Sequence, residues 1–135
     1  MNPKNSTNST NPTNSPTRTI LLVEDDSDVR SVIVRHLTHN GFQVIQAADG
    51  MEGLQKLETG GYDLVITDIV MPYVSGVGIV STVKSRNPET PVIAITGYGK
   101  EPEELAAESK ADLVLGKPVK MQDLVAHVHR LLGDP

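Results

Sequence analysis

The residues best suited to chemistry in this chain are carboxylates that follow apolar segments. Glu24, Asp25 and Asp26 directly follow the segment TILLV, and Asp68 directly follows DLVIT. Two carboxylates about 4 Å apart repel by roughly 4 kcal/mol at an effective dielectric constant near 20. A hard cation offsets such repulsion, and Mg²⁺ suits a site of two or three protein oxygens completed by water. The pattern therefore indicates a magnesium site, provided that the fold brings the two segments together.

A hydroxyl group and an ammonium group follow two further apolar segments. Thr96 follows PVIAI, and Lys117 comes shortly after DLVL. Each could serve alone as a strand-end hydroxyl or a surface lysine, but their placement after successive apolar segments indicates a shared site. Asp26 and Asp28 suit the first turn of a helix, where negative charge is favourable. The four histidines lie on helical segments and are not expected to bind a metal.

These residues are positioned by strand-length segments that alternate with segments of helical spacing. Strands are predicted at residues 19–23, 43–47, 63–67, 91–95 and 112–115. Helices are predicted at residues 29–37, 50–59, 75–86 (with Ser75 as the cap), 101–110 and 121–132. The alternation is typical of a doubly wound α/β fold, in which a parallel sheet is covered by helices on both faces. Because the carboxyl ends of parallel strands share one edge, we expect the reactive residues to meet there.

Length and composition exclude several classes of protein. A chain of 135 residues with 38% hydrophobic and only 3% aromatic residues predicts one domain with an aliphatic core. The residues after Arg18 carry ten basic and seventeen acidic side chains, a balance that argues against nucleic-acid binding. The chain has no cysteine and no long apolar run. These features predict a cytoplasmic protein without disulfides or contact with a membrane.

The first seventeen residues differ in composition from the rest of the chain. They are almost entirely Asn, Ser, Thr and Pro, and they contain no apolar side chain after Met1. Such a segment cannot bury enough apolar surface to offset the entropy of ordering. Residues 1–17 are therefore predicted to be a disordered, low-complexity tail that precedes a domain at residues 18–135.

Residues 18–135 resemble the receiver domain of two-component response regulators. The resemblance rests on VEDD, on TDIVMP, on the pairs Ser75-Gly76 and Thr96-Gly97, and on Lys117-Pro118. It implies a flavodoxin-like (βα)5 fold like that of single-domain chemotaxis regulators, with five parallel strands in the order 2-1-3-4-5. It also implies a cis peptide bond before Pro118.

The resemblance assigns a role to each acid of the predicted metal site. Asp68 would accept a phosphoryl group, and Glu24 and Asp25 would be the acidic pair that holds Mg²⁺ or Mn²⁺. Asp68 and the backbone carbonyl group of Val70 would complete the protein ligands. Thr96 would turn its hydroxyl group toward the phosphoryl group, and Lys117 would pair with it.

The resemblance also implies partners and a mode of action. The phosphoryl donor would be a phosphohistidine on a sensor histidine kinase or a phosphotransfer protein. The output would pass to a downstream protein target through the last two strands and helices. The chain would therefore be a signalling switch with self-catalysed phosphorylation and slow self-dephosphorylation, rather than a conventional enzyme.

The sequence departs from the family pattern at three positions. The first acid is Glu24, where the family more often has Asp. Val114 stands where an aromatic residue usually couples the site to the output face, so this coupling is predicted to be weak or to follow another route. Val70, two residues after Asp68, cannot orient an attacking water molecule, and this predicts a slowly hydrolysing phospho-form.

Two other functions are compatible with the same architecture. A phosphatase with an aspartyl nucleophile, of the haloacid-dehalogenase type, would need an acid two residues after Asp68, where this chain has Val70. A nucleotide- or flavin-binding module would need a glycine-rich anion loop after the first strand, where this chain has EDDSD. Because the sequence ends at Pro135, shortly after the last predicted helix, we expect a stand-alone regulator, with a receiver excised from a longer protein as the alternative.

Overall fold

The computed structural model describes residues 17–72, 74–97 and 110–134. The strands are β1 (Thr19–Val23), β2 (Gln43–Ala47), β3 (Leu64–Asp68), β4 (Val92–Thr96) and β5 (Leu113–Gly116). The described helices are α1 (Ser27–His39), α2 (Gly50–Thr59), α3 (Gly76–Arg86) and α4 (Met121–Leu131). The predicted tail, except for Thr17, and the predicted helix at 101–110, except for Lys110, lie outside the described residues.

The five strands form one parallel sheet in the order β2-β1-β3-β4-β5. This order confirms the predicted doubly wound, flavodoxin-like architecture. β1 lies between β2 and β3, so strand order reverses next to β1. The crevice at such a reversal, outside the carboxyl ends of the strands, is where open α/β sheets bind ligands.

Aliphatic side chains cover both faces of the sheet, because successive residues of a strand point to opposite faces. In β1, Ile20 and Leu22 pack with α1 and α4, whereas Leu21 and Val23 pack with α2 and α3. All four side chains are buried. Burial on both faces explains why the strands read as continuous apolar runs rather than alternating patterns. It also gives the site a rigid base.

The last three strands begin and end one residue later than predicted. Asp68 and Thr96, which were expected to follow β3 and β4, are the final residues of those strands. Their backbones remain in the sheet, where Asp68 pairs with Ile95 and Thr96 pairs with Gly116. A change from apolar to polar side chains therefore does not mark the end of backbone pairing. Both reactive side chains consequently stand on strands rather than on loops.

Two of the four described helices, α1 and α2, begin after a residue whose side chain accepts hydrogen bonds from their first N–H groups. The side chain of Asp26 accepts hydrogen bonds from the N–H groups of Asp28 and Val29, so α1 starts at Ser27, two residues before the predicted start. Ser75 occupies the predicted cap position of α3, but its side chain makes no capping hydrogen bond. No helix in the described part of the chain is long and apolar enough to cross a membrane.

Candidate functional site

The register of the sheet brings the first acid of the β1–α1 turn beside Asp68. Val23 pairs with Thr67, so Glu24, which directly follows β1, lies beside Asp68, the last residue of β3. One oxygen from each of the carboxylates of Glu24, Asp25 and Asp68 can be chosen such that all three lie within 4.8 Å of one another. The structure thus brings together the three acids that were predicted from the sequence to share a site.

The three acids differ in their exposure. Glu24 is 1% exposed and Asp68 is 4% exposed, whereas Asp25 is exposed to solvent. Burial of an ionised carboxylate is costly unless a charge partner or a metal compensates for it. Glu24 and Asp68 therefore form the buried bottom of the cluster, and the exposed Asp25 lies on its open side. A cation can enter from that side.

Lys117 supplies a positive charge inside the cluster. Its Nζ atom lies 3.1 Å from Oδ2 of Asp68 and 3.5 Å from Oε1 of Glu24. Its backbone N–H donates a hydrogen bond of 2.8 Å to the carbonyl oxygen of Thr96. The peptide bond between Lys117 and Pro118 is cis, as expected. The ammonium group therefore bridges the two buried acids.

Burial and the neighbouring charges shift the pKa values of Glu24 and Lys117. Burial raises the pKa of Glu24 from 4.5 to about 7. The N–H of Asp26 and the ammonium group of Lys117 act in the opposite direction, and the charge of Asp68 adds to the rise. Burial lowers the pKa of Lys117, but the hydrogen bond and charge of Asp68, together with Glu24, outweigh it and raise the pKa above its usual 10.5. Lys117 therefore remains a cation at neutral pH.

Two buried oxygen atoms at this site have no hydrogen-bond partner among the described residues. They are Oδ1 of Asp68 and Oγ1 of Thr96. Buried polar atoms are rarely left unsatisfied, and an exception commonly marks a place for a ligand or an ion. Three convergent carboxylates with an unpartnered oxygen form the hard oxygen-donor set that Mg²⁺ prefers. The residues present therefore fit a magnesium ion.

A close backbone contact fixes the loop after β3. Gly76, the first residue of α3, lies so near the carbonyl oxygen of Asp68 that a Cβ atom would collide with it. The N–H of Gly76 also donates a hydrogen bond of 2.9 Å to the carbonyl oxygen of Ile69. Val70 lies in this loop with a side chain that is 52% exposed. Coordination of a metal by the carbonyl group of Val70 remains a prediction.

Two features of the site were not predicted from the sequence. The first is Arg30, whose Nη1 atom donates a hydrogen bond of 2.6 Å to the carbonyl oxygen of Glu24. The second is a cavity of about 500 Å³ beside the acids, lined mainly by apolar side chains of α1 and of the segment after β5. Neither has a local sequence signal, because each depends on how α1 lies against its neighbours.

Val114 and the histidines lie apart from the acidic cluster. Val114 of β5 packs beside Ile69 and Ala94. His36 and His129 line a separate groove between α1 and α4. The Nδ1 atom of His129 lies 3.3 Å from Oδ2 of Asp134.

Comparison with known proteins places this geometry in one family. Residues 20–129 match the family model described as the response regulator receiver domain. The chain is 35% identical over 114 residues to the transcriptional regulatory protein PrrA of Mycobacterium tuberculosis, which corresponds to 84% of this chain and 49% of PrrA. The chain therefore spans about half the length of this relative.

Solved structures give the same result. A CheY-like response regulator receiver domain protein from Methanospirillum hungatei superposes with a TM-score of 0.81 at 28% identity, covering 87% of this chain and 95% of that one. The response regulator TrrA of Thermotoga maritima, solved in complex with Mg²⁺ and BeF, gives a TM-score of 0.77 at 30% identity. That match covers 85% of this chain and 99% of TrrA.

Proposed function

This chain belongs to the response regulator receiver domain family, and from that premise we propose that it is a signalling switch that accepts a phosphoryl group on Asp68. The observation that carries the proposal is the buried Asp68 carboxylate, with Oδ1 unpartnered among the described residues and Oδ2 held 3.1 Å from Nζ of Lys117. We take residues 18–135 as the unit that performs this function.

Glu24, Asp25 and Asp68 would hold the magnesium ion, together with the carbonyl group of Val70. When bound, Mg²⁺ supplies positive charge that offsets repulsion between the carboxylates and the anionic phosphoryl group. The fit rests on the convergence of three carboxylate oxygens within 4.8 Å. TrrA, in complex with Mg²⁺ and BeF, supports the same assignment by analogy.

The residues of this chain can carry out the transfer without a general base. The ionised Asp68 carboxylate attacks phosphorus, an O–P bond forms, and the N–P bond to the donor imidazole breaks with its electron pair remaining on the donor nitrogen. Lys117, already beside Asp68, pairs with a phosphoryl oxygen as negative charge accumulates. Because Asp68 is almost fully buried, the side chain meets the donor only at the open side of the site.

Thr96 provides the response to phosphorylation. Its buried hydroxyl group has no partner among the described residues, and a phosphoryl group on Asp68 would offer it an acceptor oxygen. The carbonyl oxygen of Thr96 accepts a hydrogen bond from the N–H of Lys117, so movement of the end of β4 is transmitted to the end of β5. The face formed by the last two strands and helices, of which the structure describes β4, β5 and α4, then contacts a downstream protein. Val114 makes this coupling weak or diverts it to another route.

The phosphoryl donor would be a histidine kinase or a phosphotransfer protein in the cytoplasm. The acidic excess of the residues after Arg18 supports an output through protein contacts rather than through nucleic-acid contacts of this domain. Val70 bears no group that could activate water or protonate a leaving group. This supports slow self-dephosphorylation and disfavours a phosphatase. A phospho-form lifetime of seconds, measured on purified protein, would contradict slow hydrolysis.

The proposal is tested with a small acyl phosphate as donor. The wild-type chain and the Asp68→Asn variant are incubated with the donor and Mg²⁺, and intact mass spectrometry detects the gain of one phosphoryl group. We expect incorporation in the wild type and none in Asp68→Asn, because an amide is a poor nucleophile. Chelation of Mg²⁺ should have the same effect as the substitution.

Asp28→Asn is the matched control, since Asp28 is an exposed acid in the first turn of α1 near the same site. It should incorporate as the wild type does. Incorporation by Asp68→Asn at the wild-type level would remove Asp68 from its assigned role.

A further inference from the structure

The turn between β1 and α1 carries two of the three acids and is held by hydrogen bonds at both ends. At its start, the N–H of Glu24 donates to the carbonyl oxygen of Ala47 in β2 over 3.1 Å. At its end, the N–H of Asp26 donates to Oε2 of Glu24 over 3.1 Å. Asp26 also caps α1. Between these contacts lies the peptide group that joins Glu24 to Asp25.

Arg30 holds that peptide group. Its guanidinium group reaches back over six residues, and Nη1 donates a hydrogen bond of 2.6 Å to the carbonyl oxygen of Glu24. A hydrogen bond from a charged donor is short and about twice as strong as one between neutral groups. Arg30 is half-buried, and its own backbone N–H donates to the carbonyl oxygen of Asp26 over 2.9 Å. Both ends of the arginine therefore contact the turn.

The contact is with the backbone of the turn rather than with its carboxylates. Within residues 17–72, 74–97 and 110–134, no carboxylate lies in ion-pair distance of the guanidinium group of Arg30. Lys117 is the cation that pairs with Glu24 and Asp68. Lys117 thus balances the charge of the carboxylates, whereas Arg30 fixes the geometry of the turn.

We propose that Arg30 is a positioning residue for the metal site, which acts by locking the peptide group between Glu24 and Asp25. The exposed Asp25 side chain starts from this peptide group, so rotation of the group would move its carboxylate away from those of Glu24 and Asp68. Without Arg30 the turn would have to be ordered when the cation binds, and the affinity for Mg²⁺ would fall. The inference rests on the proposed function in one respect, namely that these acids bind Mg²⁺.

The test is Mg²⁺ affinity measured by isothermal titration calorimetry on the full chain. We expect Arg30→Met to weaken binding by about tenfold, at the lower end of the effect of removing groups that orient metal ligands. Arg30→Lys keeps the charge but not the reach or shape of the guanidinium group, so its affinity should be intermediate. Arg35→Met, at an exposed position of the same helix, is the matched control and should bind as the wild type does.

Two further readouts distinguish positioning from a general loss of stability. Phosphorylation by a small acyl phosphate should need about tenfold more Mg²⁺ for half-maximal rate in Arg30→Met, with the rate at saturating Mg²⁺ unchanged. In the metal-free protein, the amide hydrogen of Asp26, which is bonded to Oε2 of Glu24, should exchange faster, whereas the amide hydrogens of β1 should not.

Wild-type Mg²⁺ affinity in whichever of Arg30→Met and Arg30→Lys is folded, judged by thermal unfolding, would overturn the inference. A tenfold loss of affinity would support it even if the wild type accepted no phosphoryl group. In that case the proposed function would fail and the role of Arg30 would stand.

Discussion

The free-energy cost of building the site is most visible at a single residue, Glu24. This carboxyl group is almost fully buried beside Asp68, and Lys117 compensates for only part of its charge. Its longer side chain, compared with the Asp that is more usual in the family, still reaches the cluster. Glu24 is therefore both a candidate ligand and the group that makes the metal-free site sensitive to pH.

Replacing Glu24 by Gln should change how the stability of the metal-free protein depends on pH. Folding raises the pKa of Glu24 from 4.5 to about 7, so the folded state binds the proton more tightly than the unfolded state. The resulting stability is fully present below pH 4.5 and is lost as pH rises through about 7. Over this range we expect the wild type to lose about 2–3 kcal/mol more than Glu24→Gln, since one pKa unit corresponds to about 1.4 kcal/mol.

Urea unfolding of both proteins in a chelator, at several pH values, measures this difference. Parallel stability curves for the two proteins would contradict the raised pKa. Addition of Mg²⁺ at neutral pH should restore stability to the wild type in particular, because the cation favours the ionised carboxylate.

Replacing Thr96 by Val should stabilise the unphosphorylated protein while impairing its response. Val nearly matches Thr in shape, and the substitution removes a hydroxyl group that is buried without a partner among the described residues. We expect the free energy of unfolding to rise by about 1 kcal/mol, measured by urea denaturation. Amide exchange at the ends of β4 and β5 should then change little on phosphorylation.

The control is Thr67→Val in β3, at the position directly before Asp68. The hydroxyl group of Thr67 donates a hydrogen bond of 2.9 Å to the carbonyl oxygen of Asp68, so its loss should destabilise the protein. If both variants shifted stability in the same direction, the unpartnered state of Thr96 would be in doubt.

At the scale of the elements, the sequence predicted which segments pair but not where the site residues stand on them. The aliphatic segments identified all five strands, and the acid-rich turn after TILLV lies beside Asp68, as expected. Asp68 and Thr96 were expected directly after their strands, yet the backbone pairing of the sheet continues through both residues. The contact of Arg30 with Glu24 could not be predicted, since a separation of six residues has no periodic signal in a turn followed by a helix.

The packing of α3 against the end of β3 requires a residue without a Cβ atom at position 76. A Cβ atom there would collide with the carbonyl oxygen of Asp68 and approach Cα of Ile69. Gly76→Ala should therefore lower the free energy of unfolding by about 2–3 kcal/mol, because backbone atoms cannot give way as a flexible side chain does. Chemical denaturation measures the loss.

Gly78→Ala, in the same helix, is the matched control. Its new methyl group would lie 3.3 Å from Cγ1 of Val74, a side-chain atom that can shift. The gain in helix propensity of up to about 1 kcal/mol offsets this contact, so stability should stay within about 1 kcal/mol of the wild type. Equal losses in both variants would refute the argument from close backbone approach.

At the scale of the whole molecule, the cavity beside the acids is an apolar surface on a chain whose net charge is −5. Glu24 and Lys117 line it, so the proposed phosphohistidine donor would approach the site beside this cavity. Val32 of α1 lines this cavity and is 37% exposed, whereas Val77 of α3 is 39% exposed and does not line it.

A negative charge in this cavity should weaken transfer from a protein donor but not from a small molecule. We expect Val32→Asp to reduce the rate of phosphotransfer from a partner kinase by at least about tenfold, because burying an unpaired carboxylate in an apolar contact is costly. The rate with a small acyl phosphate should be unchanged. Val77→Asp should leave both rates unchanged, and equal effects of the two substitutions would rule out this cavity as the donor surface.

The bond from Lys117 N–H to the carbonyl oxygen of Thr96 has a consequence for how the chain tolerates insertions and deletions. Adding or removing one residue in β5 would turn alternate side chains to the wrong face and separate the ammonium group from its neighbours. By contrast, the turns at Gly41 and at Gly60-Gly61 precede β2 and β3, at the amino ends of the strands and away from the site. Added Cβ atoms at these glycines would meet open space. An epitope or a reporter peptide spliced into those turns should leave the chemistry of the other edge intact.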